Sequence, residues 1–190
     1  MQGLYFEDKN FNKINFEEKP LKKGEYEKCE FTNCSFYKSD ISEIFFVDCI
    51  FKACNLSLVE VSGTTFNDII FSDCKLVGIH FENCNDFGLS FKFENCTLEQ
   101  SSFFKKKIRN TNFENSKLIE IDFTETDLTG SVFSNCDLMR TIFNNTILEK
   151  ADLRTSYNFS IDPEINRIKK VKFSFPGVAG LLDKYDIEIE

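Results

Sequence analysis

A five-residue periodicity dominates this sequence and constrains its fold more than any other feature. In residues 29–36 (CEFTNCSF) a bulky apolar residue follows each cysteine by two positions, and the beat then repeats every five residues. It slips by two residues after Phe81 and resumes at Phe93. With an apolar content of 42%, chance would produce so long a series with a probability on the order of 10⁻¹¹. The apolar centres are Phe6, Phe11, Phe16, Leu21, Tyr26, Phe31, Phe36, Ile41, Phe46, Phe51, Leu56, Val61, Phe66, Phe71, Leu76, Phe81, Phe93, Leu98, Phe103, Ile108, Phe113, Leu118, Phe123, Leu128, Phe133, Leu138, Phe143, Leu148 and Leu153.

A period of five fits neither the 3.6 residues of an α-helical turn nor the alternation of a flat strand. The small residue and the bulky centre of each unit are two apart, so in an extended segment both point to the same side. Each unit is therefore a short extended piece and a corner, and four units make a square coil of about 20 residues. Parallel stacking of the coils predicts an all-β rod with a solid core, about seven coils and roughly 35 Å tall.

The cysteines follow the same five-residue periodicity, and their position in the repeat indicates their structural role. All eight lie two residues before a centre, where other units have Ser, Thr or Ala. We interpret them as small buried residues rather than disulfide partners. The alternative is a zinc site, but no C-x₂-C pair is present and His80 is the only histidine. We expect no metal and no cofactor.

The units resemble those of a known family. Ala151-Asp152-Leu153 and Cys136-Asp137-Leu138 are similar to the repeats of the pentapeptide repeat proteins, and the resemblance extends over roughly residues 4–173. It implies a right-handed quadrilateral parallel β-helix. The Phe-rich repeat and the C-terminal segment look most like the Qnr-type quinolone-resistance proteins and the MfpA-type proteins. In Qnr-type proteins longer loops interrupt the helix, and no insertion of that length occurs here.

Two segments follow from this pattern. We predict a β-helix over residues 1–173 and a C-terminal helical cap or dimerisation segment over residues 174–190. The first coil is expected to be irregular, since Lys9 and Lys19 occupy inner positions where a charge is costly. The slip at residues 82–92 predicts a small projecting loop formed by Asp86, Phe87, Gly88 and Leu89, with Phe87 and Leu89 covering its base.

Lys106 also falls at an inner position, within the basic run 105–109 (KKKIR). Either its ammonium group reaches solvent through a local bulge, or the coil is distorted there. We interpret this run as a solvated kink.

The C-terminal segment has an apolar stripe at helical spacing. We expect it to cap the open end of the coil stack, and the family resemblance implies that it also makes a homodimer. Ile187 and Ile189 alternate after it like a short strand. The residues assigned to the cap and dimer contact are Phe175, Val178, Leu181, Leu182, Tyr185 and Ile187.

The charge of −8 and the pI near 4.9 argue against nucleic acid or anionic membrane as the main partner. No leader-like segment or membrane-length apolar run is present, which favours the cytoplasm, and the resemblance implies a bacterial one. Residues 20 apart should stack, so carboxylates should form rows on two adjacent sides. If the slip preserves the side count, these rows continue beyond it. The predicted partner-binding residues are Asp40, Asp48, Glu60, Asp68, Asp122 and Asp127.

Two functional hypotheses remain open. The resemblance implies a DNA-mimicking protein that binds DNA gyrase or topoisomerase IV and modulates it or protects it from quinolones. The alternative is a non-catalytic scaffold with an unrelated partner, which is favoured by outward apolar residues such as Phe45, Ile50 and Ile70. No phosphate-binding loop, catalytic dyad or nucleophile motif is found, and His80 points outward without a partner, so we expect no enzymatic activity and no small-molecule substrate.

Overall fold

The computed structural model describes residues 3–188 of the chain, and short parallel strands dominate it. Three 3₁₀ segments cover Phe81–Asn83, Pro176–Leu181 and Asp183–Tyr185. None of the described helices is long and apolar enough to cross a membrane. The strands are β1 (Leu4–Glu7), β2 (Asn10–Asn12), β3 (Gly24–Glu27), β4 (Glu30–Thr32), β5 (Phe45–Val47), β6 (Ile50–Lys52), β7 (Thr65–Asn67), β8 (Ile69–Ser72), β9 (Phe91–Glu94), β10 (Asn112–Glu114) and β11 (Val132–Ser134).

The strands form two parallel sheets on two neighbouring sides of a square coil. Face 1 is the sheet β1-β3-β5-β7, and face 2 is the sheet β2-β4-β6-β8-β9-β10-β11. Faces 3 and 4 complete each coil with single bridges, such as Ser35 with Asn55 on face 3 and Asp40 with Glu60 on face 4. The coil repeat is 20 residues, as in Phe31 beside Phe51. The predicted pentapeptide-repeat β-helix of about 7 turns is therefore confirmed.

The core is a set of ring stacks that run along the rod. On face 2 one aromatic column continues through seven coils, with neighbouring ring centroids 4.7 to 5.4 Å apart. Rings of adjacent faces meet edge to face, as Phe46 and Phe51 do at 5.4 Å. Both geometries are favoured between aromatic side chains. The column consists of Phe11, Phe31, Phe51, Phe71, Phe93, Phe113 and Phe133.

The small inner residues share one hydrogen-bonding role, which explains why Cys, Ser and Thr interchange there. The Cys49 thiol donates to the carbonyl of Tyr26 at 3.1 Å, and the Thr64 hydroxyl donates to the carbonyl of Ile41 at 2.8 Å. Each acceptor is the centre of the coil below. All eight cysteines are buried and free, as predicted. Burial raises the pKa of Cys49 to about 12, which makes its thiol a poor nucleophile.

The corners have a backbone conformation that the periodicity did not reveal. The residue two positions after a centre is usually left-handed, with φ of 54° at Asn33 and 51° at Asp48. Its N–H then donates to the coil above, as Asp48 N does to the carbonyl of Asn67 at 2.9 Å. Asn and Asp tolerate positive φ better than most residues, which accounts for part of the polar composition of the repeat.

The first coil is regular on faces 1 and 2, whereas residues 16–23 form a turn and unpaired backbone, with Lys19 N donating to the Asn15 carbonyl at 3.1 Å. The predicted irregularity is thus confined to the second half of the coil. β1 pairs with β3 and β2 with β4 in the ordinary register. Lys9 and Lys19 hold inner positions but are exposed, because no described coil lies below them. The desolvation cost that predicted an irregular coil therefore does not arise.

The C-terminal segment folds over the last coil as 3₁₀ rather than α-helical turns. The Gly180 carbonyl accepts from Ile161 N at 2.9 Å, and a Cβ on Gly180 would lie 2.2 Å from the Phe159 carbonyl oxygen. Lys184 pairs with Asp162 and Glu164, both at 2.7 Å. Leu181 and Leu182 are half-buried, whereas Phe175, Val178 and Tyr185 are exposed. Ile187 is exposed and outside any strand, and Ile189 lies outside the described residues.

Candidate partner-binding surface

The register slip changes the coil repeat from 20 to 22 residues at one place. β8 pairs with β9 so that Phe71 lies beside Phe93. The two extra residues form a loop between the 3₁₀ turn and β9, on the side where face 1 would continue. The loop is firmly anchored: Asn85 Nδ2 donates to the Gly63 carbonyl at 2.8 Å and to Thr65 Oγ1 at 2.9 Å, and Ser90 Oγ donates to Asp68 at 2.8 Å.

Gly88 is required at the tip of this loop. Its φ is +69°, and a Cβ there would lie 2.5 Å from Asn67 Nδ2. A glycine supplies both the left-handed conformation and the close approach. The predicted loop of Asp86, Phe87, Gly88 and Leu89 is thus present and held in a defined shape.

The two apolar residues of the loop differ in burial. Leu89 is buried and covers the base of the loop, as predicted. The prediction that Phe87 also covers it is wrong, because this side chain is 88% exposed. The space in the core is filled instead by Phe91, whose ring lies 5.4 Å from Phe81 and 5.7 Å from Phe66. The signal was in the sequence, since Phe91 is a large residue at an inner position that is otherwise small.

Lys106 fills the other half of the gap. Its side chain is buried, and its ammonium group donates to the Cys84 carbonyl and to Asp86 Oδ1, both at 2.6 Å. The solvated kink expected for residues 105–109 is therefore wrong at Lys106. Cys84 keeps the small inner position of the coil below, but Asp86 stands where the bulky centre of face 1 would follow Phe66. The long Lys106 side chain reaches into that place, satisfies the Cys84 carbonyl and ties down the loop.

On face 4 the predicted row of carboxylates exists in part. Asp40 and Glu60 are bridge neighbours, and the row continues through His80 and Ser102 to Asp122. Asp40 accepts from Ser42 N, and Asp122 accepts from Thr124 N, both at 2.8 Å. In each of these Asx turns the aspartate carboxylate accepts from the backbone N–H two residues later, so Asp40 and Asp122 also stabilise the local turn.

Asp48 and Asp68 lie at the corner between faces 1 and 2, in successive coils, and both are exposed. They occupy left-handed corner positions with φ of 51° and 52°. Neither forms a salt bridge with a lysine or arginine in the described part of the chain.

Beyond the slip the expected acidic rows continue only in part, at Asp122 but not at Asp127. Asp127 is buried and accepts from Arg109 Nε at 2.7 Å and from Thr129 Oγ1 at 2.6 Å. Burial raises its pKa, but the hydrogen bonds from Arg109 and Thr129 outweigh burial and hold the pKa below the ordinary value. Asp127 is therefore a paired internal charge. Of the two acids predicted beyond the slip, only the half-buried Asp122 reaches the surface.

Exposed apolar side chains accompany the free carboxylates on face 1. Phe45 is 47% exposed and separates two shallow grooves. The lower groove, of about 340 Å³, includes Tyr5, Glu25 and Glu43. The upper groove, of about 380 Å³, is lined by Phe45, Val47, Thr65, Asn67, Asn85, Asp86 and Phe87.

His80 lies on the surface of face 4, with Nδ1 2.9 Å from Glu82 Oε1. Within residues 3–188, His, Cys, Asp and Glu side chains form no group of three that could hold a metal ion. The proposed dimer residues of the C-terminal segment lie at the end of the rod, beyond the coils above the slip.

Comparison with known proteins places these features in a family. The pentapeptide repeat region model matches residues 24–103, and the model of pentapeptide repeats in eight copies matches residues 107–145. No curated protein matches the chain.

The fold is similar to that of QnrB1, described as a plasmid-mediated fluoroquinolone resistance protein. A trypsin-treated variant has 17% identity, covers 98% of this chain and 100% of its own, and gives a TM-score of 0.64. Full-length QnrB1 is 15% identical, and the match covers 97% of this chain and 100% of QnrB1 with a TM-score of 0.63. At these identities the similarity to QnrB1 shows a shared fold only. The matches to the two repeat models show that the chain belongs to the pentapeptide repeat family.

Proposed function

We propose that this protein is a non-catalytic binding protein that occupies the DNA-binding surface of a type II topoisomerase, DNA gyrase or topoisomerase IV, in a bacterial cytoplasm. One observation carries the proposal: the exposed carboxylates of faces 1 and 4 below the slip are held on a regular scaffold, and Glu60, Asp48 and Asp68 have no cationic partner among the described residues. The fluoroquinolone resistance named for QnrB1, which shares the fold, supports the choice of partner.

The spacing of these charges suits a basic channel. Acids in successive coils are separated by about 4.8 Å along the rod, and each DNA strand carries one phosphate per about 3.4 Å of helix axis. Like charges on neighbouring strands repel each other, and a cationic partner relieves that repulsion on binding. The backbone ladder holds the acids in place, so little ordering remains to be done on association.

A supercoiling assay tests the proposal directly. Purified protein is added to DNA gyrase with and without ciprofloxacin. We expect either inhibition of supercoiling or restoration of activity in the presence of the drug, with an effect that weakens as salt is raised. The absence of an effect in both conditions would overturn the proposal.

A charge-matched pair of variants localises the contact. Asp48→Asn, Asp68→Asn and Glu60→Gln are combined in one variant, and asparagine still tolerates the left-handed corners. The control combines Glu17→Gln, Glu99→Gln and Glu114→Gln on faces 2 and 3, with the same change in net charge. We expect at least a tenfold loss of potency in the first variant only. Equal losses in both would mean that net charge alone acts.

The exposed apolar residues favour a second candidate, a β-helical interaction module with an unrelated partner. Phe87 is 88% exposed and Ile50 is 38% exposed, both beside the acidic surface. A photo-crosslinking residue at position 87 distinguishes the candidates. Crosslinks to a topoisomerase subunit in a bacterial extract support the first candidate. Consistent crosslinks to another protein, together with an inactive supercoiling assay, support the second.

The proposal includes a homodimer formed end to end through the C-terminal segment. Phe175, Val178, Tyr185 and Ile187 remain exposed at that end of the single chain and are available for such a contact. Solution scattering should then give a rod about twice as long as the single stack. A length equal to one stack would contradict the dimer and leave the topoisomerase assay unaffected.

A further inference from the structure

Phe87 stands out because it is highly exposed on a loop that is otherwise tightly fixed. The loop is tied by Asn85 to face 1, by Ser90 to Asp68, and by the buried ammonium group of Lys106 to Asp86. An exposed aromatic side chain adds nothing to the core, so folding does not explain it. Its fixed position makes it a preorganised contact.

The surface below Phe87 alternates aromatic and polar side chains along the rod. Tyr5, Glu25, Phe45 and Thr65 succeed one another in register on β1, β3, β5 and β7. Asn85 follows above Thr65, and Phe87 and Phe45 both line the upper groove.

Acids border this face on both sides. Glu43 lies at the lower groove, Asp48 follows Val47 at the opposite corner, and Asp86 lines the upper groove. Asp86 uses Oδ1 to accept from Lys106, while its side chain remains 83% exposed. The groove therefore combines an aromatic wall, an apolar floor and an accessible carboxylate.

We infer that the groove between Phe45 and Phe87 binds an arginine side chain from an extended basic segment of the partner protein. The planar guanidinium group stacks on the Phe87 ring and donates to Asp86, while its aliphatic stem lies against Phe45 and Val47. Arginine suits this site better than lysine, because a planar cation can stack and hydrogen-bond at the same time. Asn67 and Asn85 supply side-chain carbonyl oxygens, which can accept from backbone N–H groups of the bound segment, since both N–H donors of Asn85 already anchor the loop.

The identity of the partner rests on the proposed topoisomerase function, but the chemistry of the groove does not. The test therefore uses simple probes, a tetra-arginine and a tetra-lysine peptide, titrated into ¹⁵N-labelled full-length protein. We expect amide shift changes confined to residues 43–48, 65–68 and 84–90, and an affinity for the arginine peptide a few times higher than for the lysine peptide.

A matched pair of phenylalanine variants sharpens the test. Phe87→Ala should weaken arginine-peptide binding about three- to fivefold, whereas Phe104→Ala, which removes a half-buried ring on face 4 above the slip, should leave it unchanged. Both side chains lie outside the core, so both variants should fold as the wild type does. Asp86→Asn should reduce the preference for arginine over lysine.

Equal effects of the two phenylalanine variants, shift changes centred on another face, or no peptide binding would overturn the inference. The supercoiling assay is read separately. If arginine binding depends on Phe87 but gyrase is unaffected, the groove assignment stands and the topoisomerase proposal fails. If gyrase responds but Phe87→Ala changes neither peptide binding nor potency, the groove assignment fails alone.

Discussion

The coils below the slip (residues 4–81) and those above it (residues 93–173) use the same repeat but pack it differently. Below the slip, aromatic centres fill the adjacent faces 1 and 2, as with Phe46 and Phe51. Above it, they fill the opposite faces 2 and 4, as with Phe113 and Phe123, and face 1 holds Ile108, Leu128 and Leu148. The backbone of face 1 changes together with its central residues. Below the slip, face 1 is a parallel sheet. Above the slip, tight turns replace the strands, as in the turn closed by the hydrogen bond from Ser131 N to the Leu128 carbonyl.

The two regions also treat their carboxylates differently. Every arginine of the chain lies above the slip, and each pairs with an acid of a neighbouring coil or of its own unit. Lysines supply the cations below, and Asp48, Asp68 and Glu60 have no cationic partner among the described residues. The upper coils thus pair several acids with arginines, while the lower coils leave Asp48, Asp68 and Glu60 without a cation among the described residues. The slip therefore separates the upper coils, in which arginines stabilise the acids, from the lower coils, which carry the candidate binding surface, within one continuous core.

The largest expected effect concerns the ring that joins the two packings. Phe91→Ala should destabilise the fold by about 3–5 kcal/mol, because Phe91 contacts rings of both regions and its removal leaves a cavity. Urea unfolding followed by circular dichroism measures this. Phe87→Ala is the control and should change stability by less than about 0.5 kcal/mol. A small effect of Phe91→Ala would mean that the two packings do not depend on this ring.

Lys106 gives the next effect. Lys106→Met keeps most of the volume but leaves the Cys84 carbonyl buried without its donor, at a cost of about 1–3 kcal/mol. Hydrogen exchange should increase first in residues 84–90. The same change at Lys9, which holds the equivalent position in the exposed first coil, should cost less than about 0.5 kcal/mol. Equal costs would show that position in the repeat, rather than the slip, determines the role of the lysine.

The paired acids of the upper coils predict an acid-dependent loss of stability. Hydrogen bonds from Arg154 outweigh burial and lower the pKa of Asp152 from 3.8 to about 2. Its contribution is therefore fully present above pH 4 and is lost as the pH falls through about 2. After allowance for solvent screening we expect about 1 kcal/mol. Asp152→Asn should flatten this part of the profile of urea-unfolding free energy against pH, and an unchanged profile would contradict the prediction.

The smallest effect has the opposite sign. Asp48→Asn with Asp68→Asn should stabilise the lower coils by a few tenths of a kcal/mol, because the change removes repulsion between neighbouring strands and keeps residues that accept the left-handed corner. Asp127→Asn should destabilise, since Arg109 then loses its buried partner. Thermal melts at low and moderate salt measure both changes. Destabilisation by the Asp48 and Asp68 changes would show that these acids serve folding rather than binding.

Much of this molecule follows from the repeat alone. The period identified which side chains face inward, and it therefore predicted the square coil, the buried cysteines and the stacking of Asp40 on Glu60. The site was less predictable. Asp127 occupies the same outer repeat position as Asp40, and only the neighbouring Arg109 makes it an internal charge. Phe87 and Phe91 both belong to the slip, and their sequence positions did not show which ring enters the core.

The five-residue spacing sets the direction of each side chain, because that spacing is a local property of an extended unit and a corner. Which residues each side chain contacts depends on tertiary packing, because those neighbours lie about 20 residues away in the next coil. Lys9 and Lys106 share one repeat position, yet the first lies at an exposed end and the second reaches a carbonyl left by a two-residue slip. Most left-handed corners without glycine have the same origin, since a hydrogen bond from their N–H to the coil above holds them in place.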